Sequence, residues 1–234
     1  MLDASELDHD RPPLAHSHIR WAGTHVPDGW SVSTDPRDYV FFLSKDDVEY
    51  GCFSNAYREV DGHIGVAAES SSTCVDDPPR YWCVNQELHH RKALLFDDHD
   101  TARLILDESD DAARIKELGR MVRGYDDLRW REVRYEICRD AILGKFSRNE
   151  ELKNVLLGTE SRIIVEATRD EVWGIGCLEF TTHTSSTTHP GEDHQVVVGA
   201  KNKETGGWDT KPSDWKGSNL LGRCLMDVRR HLRC

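Results

Sequence analysis

The spacing of hydrophobic positions predicts that the middle and the end of the chain are helical. After residue 126, the apolar residues Trp130, Val133 and Ile137 follow the 3.6-residue period of a helix that buries one face. Ser109 and Ser218 each precede another periodic segment and are expected as N-caps. The predicted helices are residues 85–96, 109–122, 126–146, 150–157 and 218–232.

Short apolar runs predict a small number of strands. Residues 39–43 are continuously apolar, and residues 162–167 are rich in β-branched side chains, so both are expected as strands. Residues 48–57 are expected as a strand-and-loop unit with Gly51 inside it. Few strands beside several helices indicate an α+β fold that is mainly helical.

The polar segments divide the chain into one domain with extensions. Residues 1–37 are polar, contain four prolines and are expected as a loosely ordered leader. Residues 62–79 are expected as a surface connection. The single domain spans residues 38–234 and carries a long loop insertion at 181–215, with one apolar island at 196–198.

Charge and cysteine content restrict the classes of partner. The chain has 30 basic and 42 acidic residues, and its net charge of -12 disfavours stable binding to duplex nucleic acid. A nucleotide-sized ligand in a locally basic pocket is compatible with that charge. Seven cysteines without a close C-x-x-C pair fit a reducing compartment. With no signal peptide or membrane span apparent, we expect a protein of the cytosol, or of the nucleus by diffusion.

Two segments place reactive or flat side chains in apolar surroundings. Lys92 stands among leucines, where partial burial would favour an uncharged amine able to form a Schiff base with an opened sugar aldehyde. The alternative is a surface lysine whose stem lies along apolar neighbours. Trp130 offers a ring on which a base can stack, although filling the core is the commoner use of tryptophan.

Two loops carry the remaining candidate chemistry. In residues 50–55, a glycine permits close backbone approach and Ser54 and Asn55 supply short polar groups, but an ordinary turn is the simpler interpretation. After the second strand, Glu166 and Asp170 are followed by Trp173 and two glycines. Such a segment can hold a ribose or an anion, with Asp170 binding sugar hydroxyls or activating water.

Metal and dinucleotide sites are not expected. His89 and His90 are adjacent and face different sides of a helix, and the loop histidines match no zinc pattern. The sequence Gly174-Ile-Gly176 lacks the rest of a dinucleotide fingerprint. We therefore predict neither a metal nor a cofactor.

Taken in order, these segments resemble the NADAR superfamily of YbiA-like proteins. They include Y-G-C-F-S-N at 50–55, V-E-A-T-R-D-E-V-W-G-I-G at 165–176 and N-L-L-G-R-C-L-M-D-V-R at 219–229. Each motif alone is weak, whereas the ordered set covers residues 41–232. The other matching positions are 42–44, 85–96, 119–120, 130, 145–146 and 156–159.

The resemblance implies hydrolysis of an N-glycosidic bond through an oxocarbenium-like state. Implied substrates are a phosphorylated N-riboside of riboflavin synthesis or ADP-ribose attached to a guanine base. Lys92 would be the covalent amine, Trp130 the platform for the base, and Asp170 part of the ribose side. The other implied substrate-binding residues are Ser44, Tyr50, Gly51, Phe53, Ser54, Asn55, Trp82, Glu166, Trp173, Gly174 and Asn219.

One departure from the family pattern leaves a second function open. Asn85 stands where the family usually has a glutamate, and Gln86 replaces the following histidine. An amide holds a sugar by hydrogen bonds but cannot act as a general base, and Glu87 faces another side of the helix. Losing one proton-transfer group costs roughly 10²–10⁴ in rate. The alternatives are a catalytically weak module that binds ADP-ribose or an NAD derivative, and a structural domain in which these motifs only pack.

Overall fold

The computed structural model describes residues 36–64, 79–176 and 215–233. The predicted leader, apart from its last two residues, lies outside the described residues. So do most of the predicted connection at 62–79 and almost all of the loop at 181–215. Within the described ranges, no helix is long and apolar enough to cross a membrane.

The described residues form a mainly helical α+β fold, as the sequence predicts. The strands are β1 (Tyr39–Phe42), β2 (His63–Ile64), β3 (Arg80–Tyr81) and β4 (Ile163–Glu166). The helices are α1 (Val84–Leu95), α2 (His99–Asp107), α3 (Ala112–Arg120), α4 (Asp127–Arg148), α5 (Glu150–Gly158) and α6 (Leu220–Leu232).

Acidic and amide side chains start most of these helices. The side chains of Asp98, Asp126 and Asn149 accept backbone N–H groups from the first turns of α2, α4 and α5. The prediction that Ser109 caps α3 is wrong, because Asp111 accepts the N–H groups of Ala113 and Arg114. Carboxylate caps also suit the positive end of the helix dipole.

Two other local predictions are corrected by the structure. Ser218 does not cap α6, because its hydroxyl donates to the carbonyls of Glu171 and Val172. The N-cap is Asn219, in a left-handed conformation with φ 47°. Residues 48–57 contain no strand; a 3-10 helix at Gly51–Phe53 takes its place, and the preceding turn is held by N–H groups donated to Asp47.

The core is built around α4, which packs against α1 and α6, while α6 also covers β4. Strands β1 and β4 pair in parallel, with Phe42 opposite Glu166. Leu156, Ile164 and Leu225 are fully buried at the centre.

Candidate active site

Lys92 lies in the last turn of α1 and is 9% exposed. Its Nζ donates to the carbonyl of Gly119 at 2.7 Å and lies 4.2 Å from the ring centre of Tyr125 and 5.7 Å from that of Trp130. Burial lowers the pKa of the amine, and the charge of Asp127 opposes part of that shift. The predicted desolvation of Lys92 is therefore confirmed.

The glycine at position 119 lets α1 and α3 pack closely enough for the Lys92 amine to reach a backbone carbonyl of α3. A Cβ on Gly119 would overlap the imidazole of His89, so no larger residue fits without displacing that ring. Because the two helices meet here, the Gly119 carbonyl reaches the Lys92 amine. The G-R pair at 119–120 thus has a packing reason in this chain.

Asn85, His89 and Lys92 share one face of α1, since positions i, i+4 and i+7 lie above one another on a helix. Asn85 is 3% exposed and its Nδ2 has no hydrogen-bond partner. Nδ1 of His89 is likewise buried without a partner. Burial, then the charges of Lys92 and nearby cations, lowers the pKa of His89 to about 3, so the imidazole is neutral at physiological pH.

The loop that carries Tyr125 is anchored to the start of α2. Asp98 accepts the backbone N–H of Arg123 at 2.8 Å and its Nε–H at 3.0 Å, while also capping α2 through Thr101. These hydrogen bonds hold the pKa of Asp98 well below its ordinary range. Tyr125 itself is 44% exposed and packs edge-on against Phe96. Its ring therefore forms the outer wall over Lys92.

The end of β4 is fixed by a side-chain clamp. Oδ1 of Asn219 accepts the N–H of Glu166 at 3.0 Å, and its Nδ2 donates to the carbonyl of Ile164 at 2.9 Å. Both polar atoms of this amide are used by β4. Asn219 is therefore placed as a positioning residue, a different role from the ligand contact that the resemblance implies.

Glu166 and Asp170 lie on the rigid turn that follows β4. Oδ1 of Asp170 accepts the N–H groups of Val172 and Trp173 at 2.8 and 2.9 Å, and the N–H of Gly174 donates to the Asp170 carbonyl. A Cβ on Gly174 would meet Thr168 Oγ1 and the Glu166 carbonyl. The turn therefore depends on glycine at this position.

The carboxyl of Glu166 lies in an unusual environment. Its Oε2 is buried with no hydrogen-bond partner, and the same is true of Oγ1 of Thr168 two residues later. The pKa of Glu166 is raised to about 7, and burial is the largest cause. The charge of Asp170 also raises this pKa, whereas the charge of Lys116 lowers it. A carboxyl group with this pKa can gain or lose a proton near neutral pH.

Two cations link the β4 turn electrostatically to α1 and α4. The charge of Lys116 on α3 acts on both Glu166 and His89. Arg134, one turn after Trp130 on α4, interacts with Asp170 and with Asp127. Within the described ranges, the Arg134 guanidinium makes no hydrogen bond. Through Lys116 and Arg134, the carboxyl groups of Glu166 and Asp170 interact electrostatically with residues of α3 and α4 that lie beside α1.

The loop at 50–55 contributes a polar group through Asn55. The N–H of Asn85 donates to the Asn55 carbonyl at 2.8 Å, and the Asn55 side-chain oxygen is buried without a partner. Lys145, fully buried, donates to the carbonyl of Ser54 at 3.4 Å and lies 4.8 Å from the ring centre of Tyr57. The K-F motif at 145–146 thus fastens this loop to α4.

Other predicted residues of the first loops have local or packing contacts. Tyr50 stacks on Phe53, which packs edge-on against Phe42. Ser44 accepts the N–H of Asp46. A Cβ on Gly51 would meet the Lys45 carbonyl, which explains the glycine without a ligand.

Trp82 and Trp173 occupy different surroundings. Nε1 of Trp82 donates to the Glu108 carbonyl at 2.7 Å, and Arg58 lies over its ring. Trp82 precedes α1, whereas Lys92 lies in its last turn, about 12 Å along the helix axis from Val84 at 1.5 Å per residue. The contacts of Trp82 are therefore with Glu108 and Arg58 at the other end of α1. Trp173 is half-buried and packs against the main core from the turn that holds Asp170.

Sequence reasoning missed four residues of this region: His89, Lys116, Tyr125 and Arg134. The spacing of Asn85, His89 and Lys92 was a signal for the first of them. The other three become visible only when α3 and α4 pack beside α1 and the β4 turn. In the described part of the chain, no group of three or more potential ligands is arranged for a metal ion.

Comparisons with known proteins identify the family and the fold. Over 150 residues the chain is 33% identical to N-glycosidase R617 of Acanthamoeba polyphaga mimivirus, covering 64% of this chain and 73% of that protein. Protein irg-1 of Caenorhabditis elegans is 30% identical over 156 residues, 65% of this chain and 61% of the relative. The NMR structure of the E. coli protein YbiA shares the fold, with a TM-score of 0.53 and 22% identity over 83% of this chain and 84% of that one. The family model of the NADAR domain matches residues 41–233, and the chain therefore belongs to the NADAR domain family.

Proposed function

We propose that this protein hydrolyses the N-glycosidic bond of a phosphorylated N-riboside or of an ADP-ribosylated guanine base. The observation that carries the proposal is the buried amine of Lys92 beside Tyr125 and Trp130. An amine whose pKa is lowered by burial is a nucleophile for a sugar carbon, and two aromatic faces next to it suit a flat leaving group. The mimivirus relative carries the name N-glycosidase, which supports the same bond class.

The proposed reaction starts with departure of the base. The bond between C1′ of the ribose and the base nitrogen breaks, its electron pair leaves with the base, and that nitrogen takes up one proton. The Lys92 amine forms a bond to C1′ and loses a proton. The ribose ring then opens: the C1′–O4′ bond breaks, O4′ takes up the proton that remains on the Lys92 nitrogen, and a Schiff base forms, which water hydrolyses to the free sugar and the amine.

The other residues have roles in this scheme that follow from their contacts. Trp130 stacks on the base, and Asp170 accepts hydrogen bonds from ribose hydroxyls through Oδ2, which makes no hydrogen bond within the described ranges. Asn85 and Asn55 supply a donor and an acceptor that lack partners among the described residues. Arg134 and Lys116 give a locally positive region for phosphate in a chain of net charge -12.

A second candidate function is a binding module for ADP-ribose or an NAD derivative with weak or no turnover. Asn85 favours it, because the amide gives this face of α1 hydrogen-bonding capacity without a proton-transfer group. His89 is a poor replacement for that group, because its pKa of about 3 leaves no proton to donate near neutral pH and makes the imidazole a weak base.

The two functions are separated by measuring released base and binding on the same preparation. The full chain is incubated with ADP-ribosylated guanosine and with the phosphorylated riboflavin intermediate, and free base is quantified by chromatography and mass spectrometry. We expect release from one of them that falls at least about 100-fold in Lys92→Met, the typical size of one lost catalytic group. Calorimetry with ADP-ribose is run in parallel.

Lys153→Met is the matched control, because that lysine forms a surface pair with Glu150 on α5. Equal release by the wild type and Lys92→Met would contradict the catalytic role of Lys92. Binding of ADP-ribose without release of base would favour the binding module. Absence of both would contradict both functions.

A further inference from the structure

The candidate site contains one carboxyl group that is fixed in place and has a buried oxygen without a partner. Glu166 ends β4, where the Asn219 clamp holds its backbone N–H and the N–H of Ile175 donates to its carbonyl at 3.1 Å. Its Oε2 is buried, and no donor of the described residues reaches it. A buried acceptor left without a partner is costly unless the carboxyl is protonated or a ligand supplies the donor.

The neighbouring carboxylates are used differently. Asp170 gives one oxygen to the N–H groups of its own turn. Asp127 accepts the Tyr125 hydroxyl at 2.9 Å and pairs with Arg131 at 2.7 Å. The face of α1 that carries Asn85 has no carboxyl group. Among these groups, and within the described residues, Glu166 is the one whose unpartnered carboxyl oxygen is buried.

We infer that Glu166 is the general acid and base of the reaction, donating the proton that the departing base takes up. This inference rests on the proposed function and supplies the proton-transfer group that Asn85 cannot provide.

In this scheme, Glu166 both donates and accepts the proton that is transferred during cleavage. When the bond between C1′ and the base nitrogen breaks, the electron pair stays on nitrogen and the Glu166 carboxyl gives it a proton. The Glu166 carboxylate then accepts the proton that the Lys92 nitrogen loses after bonding to C1′. Glu166 is protonated again, the base has gained one proton, and the later hydrolysis of the Schiff base consumes one water.

The charged groups around Glu166 suit this cycle. Asp170 on the same turn favours the protonated carboxyl, whereas Lys116 on α3 favours the carboxylate that follows proton transfer. Arg134 on α4 interacts with Asp170, which moderates its effect. Two opposing influences of this kind keep both protonation states accessible, as a group that acts as acid and then as base requires.

The test measures kcat/KM for the release of base by the full chain between about pH 5.5 and about 9. It compares the wild type, Glu166→Gln and Glu166→Asp on whichever of the two substrates the wild type cleaves faster. Because Glu166 titrates near pH 7 and acts first as an acid, kcat/KM of the wild type is expected to fall as pH rises through about 7. Glu166→Gln is expected to lose about 10²–10⁴-fold at pH 6 and to lose this pH dependence. Glu166→Asp keeps a carboxyl group, so we expect a partial loss and a retained, shifted pH profile.

Glu171→Gln is the matched control, since Glu171 is exposed on the same turn. Thermal melting of every variant confirms folding, and Glu166→Asp provides the comparison if Glu166→Gln does not fold. This inference is overturned if the wild type releases base and Glu166→Gln does so within about threefold of the same rate and with the same pH profile. The proposed function is then unaffected. A wild type that releases no base overturns the proposed function, and this inference with it.

Discussion

The amine of Lys92 and the ring of Trp130 meet between α1 and α4, with 5.7 Å from Nζ to the ring centre. The two residues are separated by two helices and a loop in the sequence, so only the tertiary fold brings them together. The Gly119 carbonyl and the Tyr125 ring complete the surroundings of the amine. A buried amine and aromatic rings thus occupy one place in the fold, and the proposed cleavage of a bond between a sugar and a base makes use of both.

Restoring a carboxylate on α1 should raise turnover. In Asn85→Glu, the new carboxylate stands on the same face as Lys92 and adds a second proton-transfer group to that of Glu166, so we expect base release to rise by up to about 10²-fold. Asn85→Gln introduces a side chain of the same size as glutamate but without its charge. Its rate of base release should stay near that of the wild type or below it. If the glutamate and glutamine variants release base at equal rates, a missing carboxylate does not limit this protein.

The ring of Trp130 should contribute to substrate affinity. Trp130→Leu keeps apolar volume in the core but removes the flat face, and stacking of a base is worth about 1–3 kcal/mol. We therefore expect the Kd for ADP-ribosylated guanosine to rise about 5- to 150-fold, measured by calorimetry in the Lys92→Met background to prevent turnover. Leu128→Ala, an exposed position on the same helix, is the control. An unchanged Kd in Trp130→Leu would mean that Trp130 only fills the core.

Glu166 should make stability depend on pH in a defined direction. Its pKa is about 7 in the folded protein against an ordinary value of 4.5, so the folded state retains a proton that the unfolded state loses. This stabilising contribution is complete below pH 4.5 and is lost as pH rises through about 7. Glu166→Gln removes this titration. From pH 5 to pH 8, the difference in unfolding free energy between Glu166→Gln and the wild type should therefore shift by about 1–3 kcal/mol in favour of the variant.

Urea denaturation of both proteins at the two pH values measures this difference. Glu171→Gln, altered at an exposed carboxylate of the same turn, should show no comparable change. An equal difference between Glu166→Gln and the wild type at pH 5 and pH 8 would show that the Glu166 carboxyl titrates in an ordinary range.

Asp98 should be important for the stability of the loop that covers Lys92. It is buried, caps α2 and accepts hydrogen bonds from both the backbone and the side chain of Arg123. Asp98→Ala leaves these donors unpaired and removes a cap, which should lower the free energy of unfolding by about 2–4 kcal/mol. Asp100→Ala is a sharp control, because Asp100 pairs with the same arginine on the surface and should contribute at most about 1 kcal/mol. Equal losses in a urea titration would contradict the role of Asp98.

Local sequence patterns were sufficient to predict the elements with strong periodicity. The helix that carries Lys92, the long helix α4 and the strand before Glu166 all lie close to their predicted positions. Helix α4 and the strand bury apolar residues at regular spacing, which both stabilises them and makes them visible in the sequence. Helix α1 also buries Asn85, Gln86 and Glu87, but its leucines and its lack of proline and glycine indicate a helix. The predicted burial of Lys92 follows from the same pattern.

Contacts between distant segments account for what the sequence did not reveal. Helix α2 has nine residues, and its cap, Asp98, is tied to Arg123, which is 25 positions away. Asn219 is in a motif that resembles a binding segment, but its amide is used by the backbone of β4. The environment of Glu166 depends on Lys116 from another helix. None of these relationships has a local sequence period.

Trapping the covalent intermediate tests the central claim about Lys92 most directly. The full chain is mixed with the substrate in the presence of borohydride, which reduces a Schiff base to a stable amine, and the intact mass and the modified peptide are determined by mass spectrometry. The account predicts a mass increase equal to the reduced ribosyl phosphate or ADP-ribosyl group, located on Lys92 and absent from Lys92→Met. Release of base without any adduct on Lys92, or an equal adduct in Lys92→Met, would contradict it.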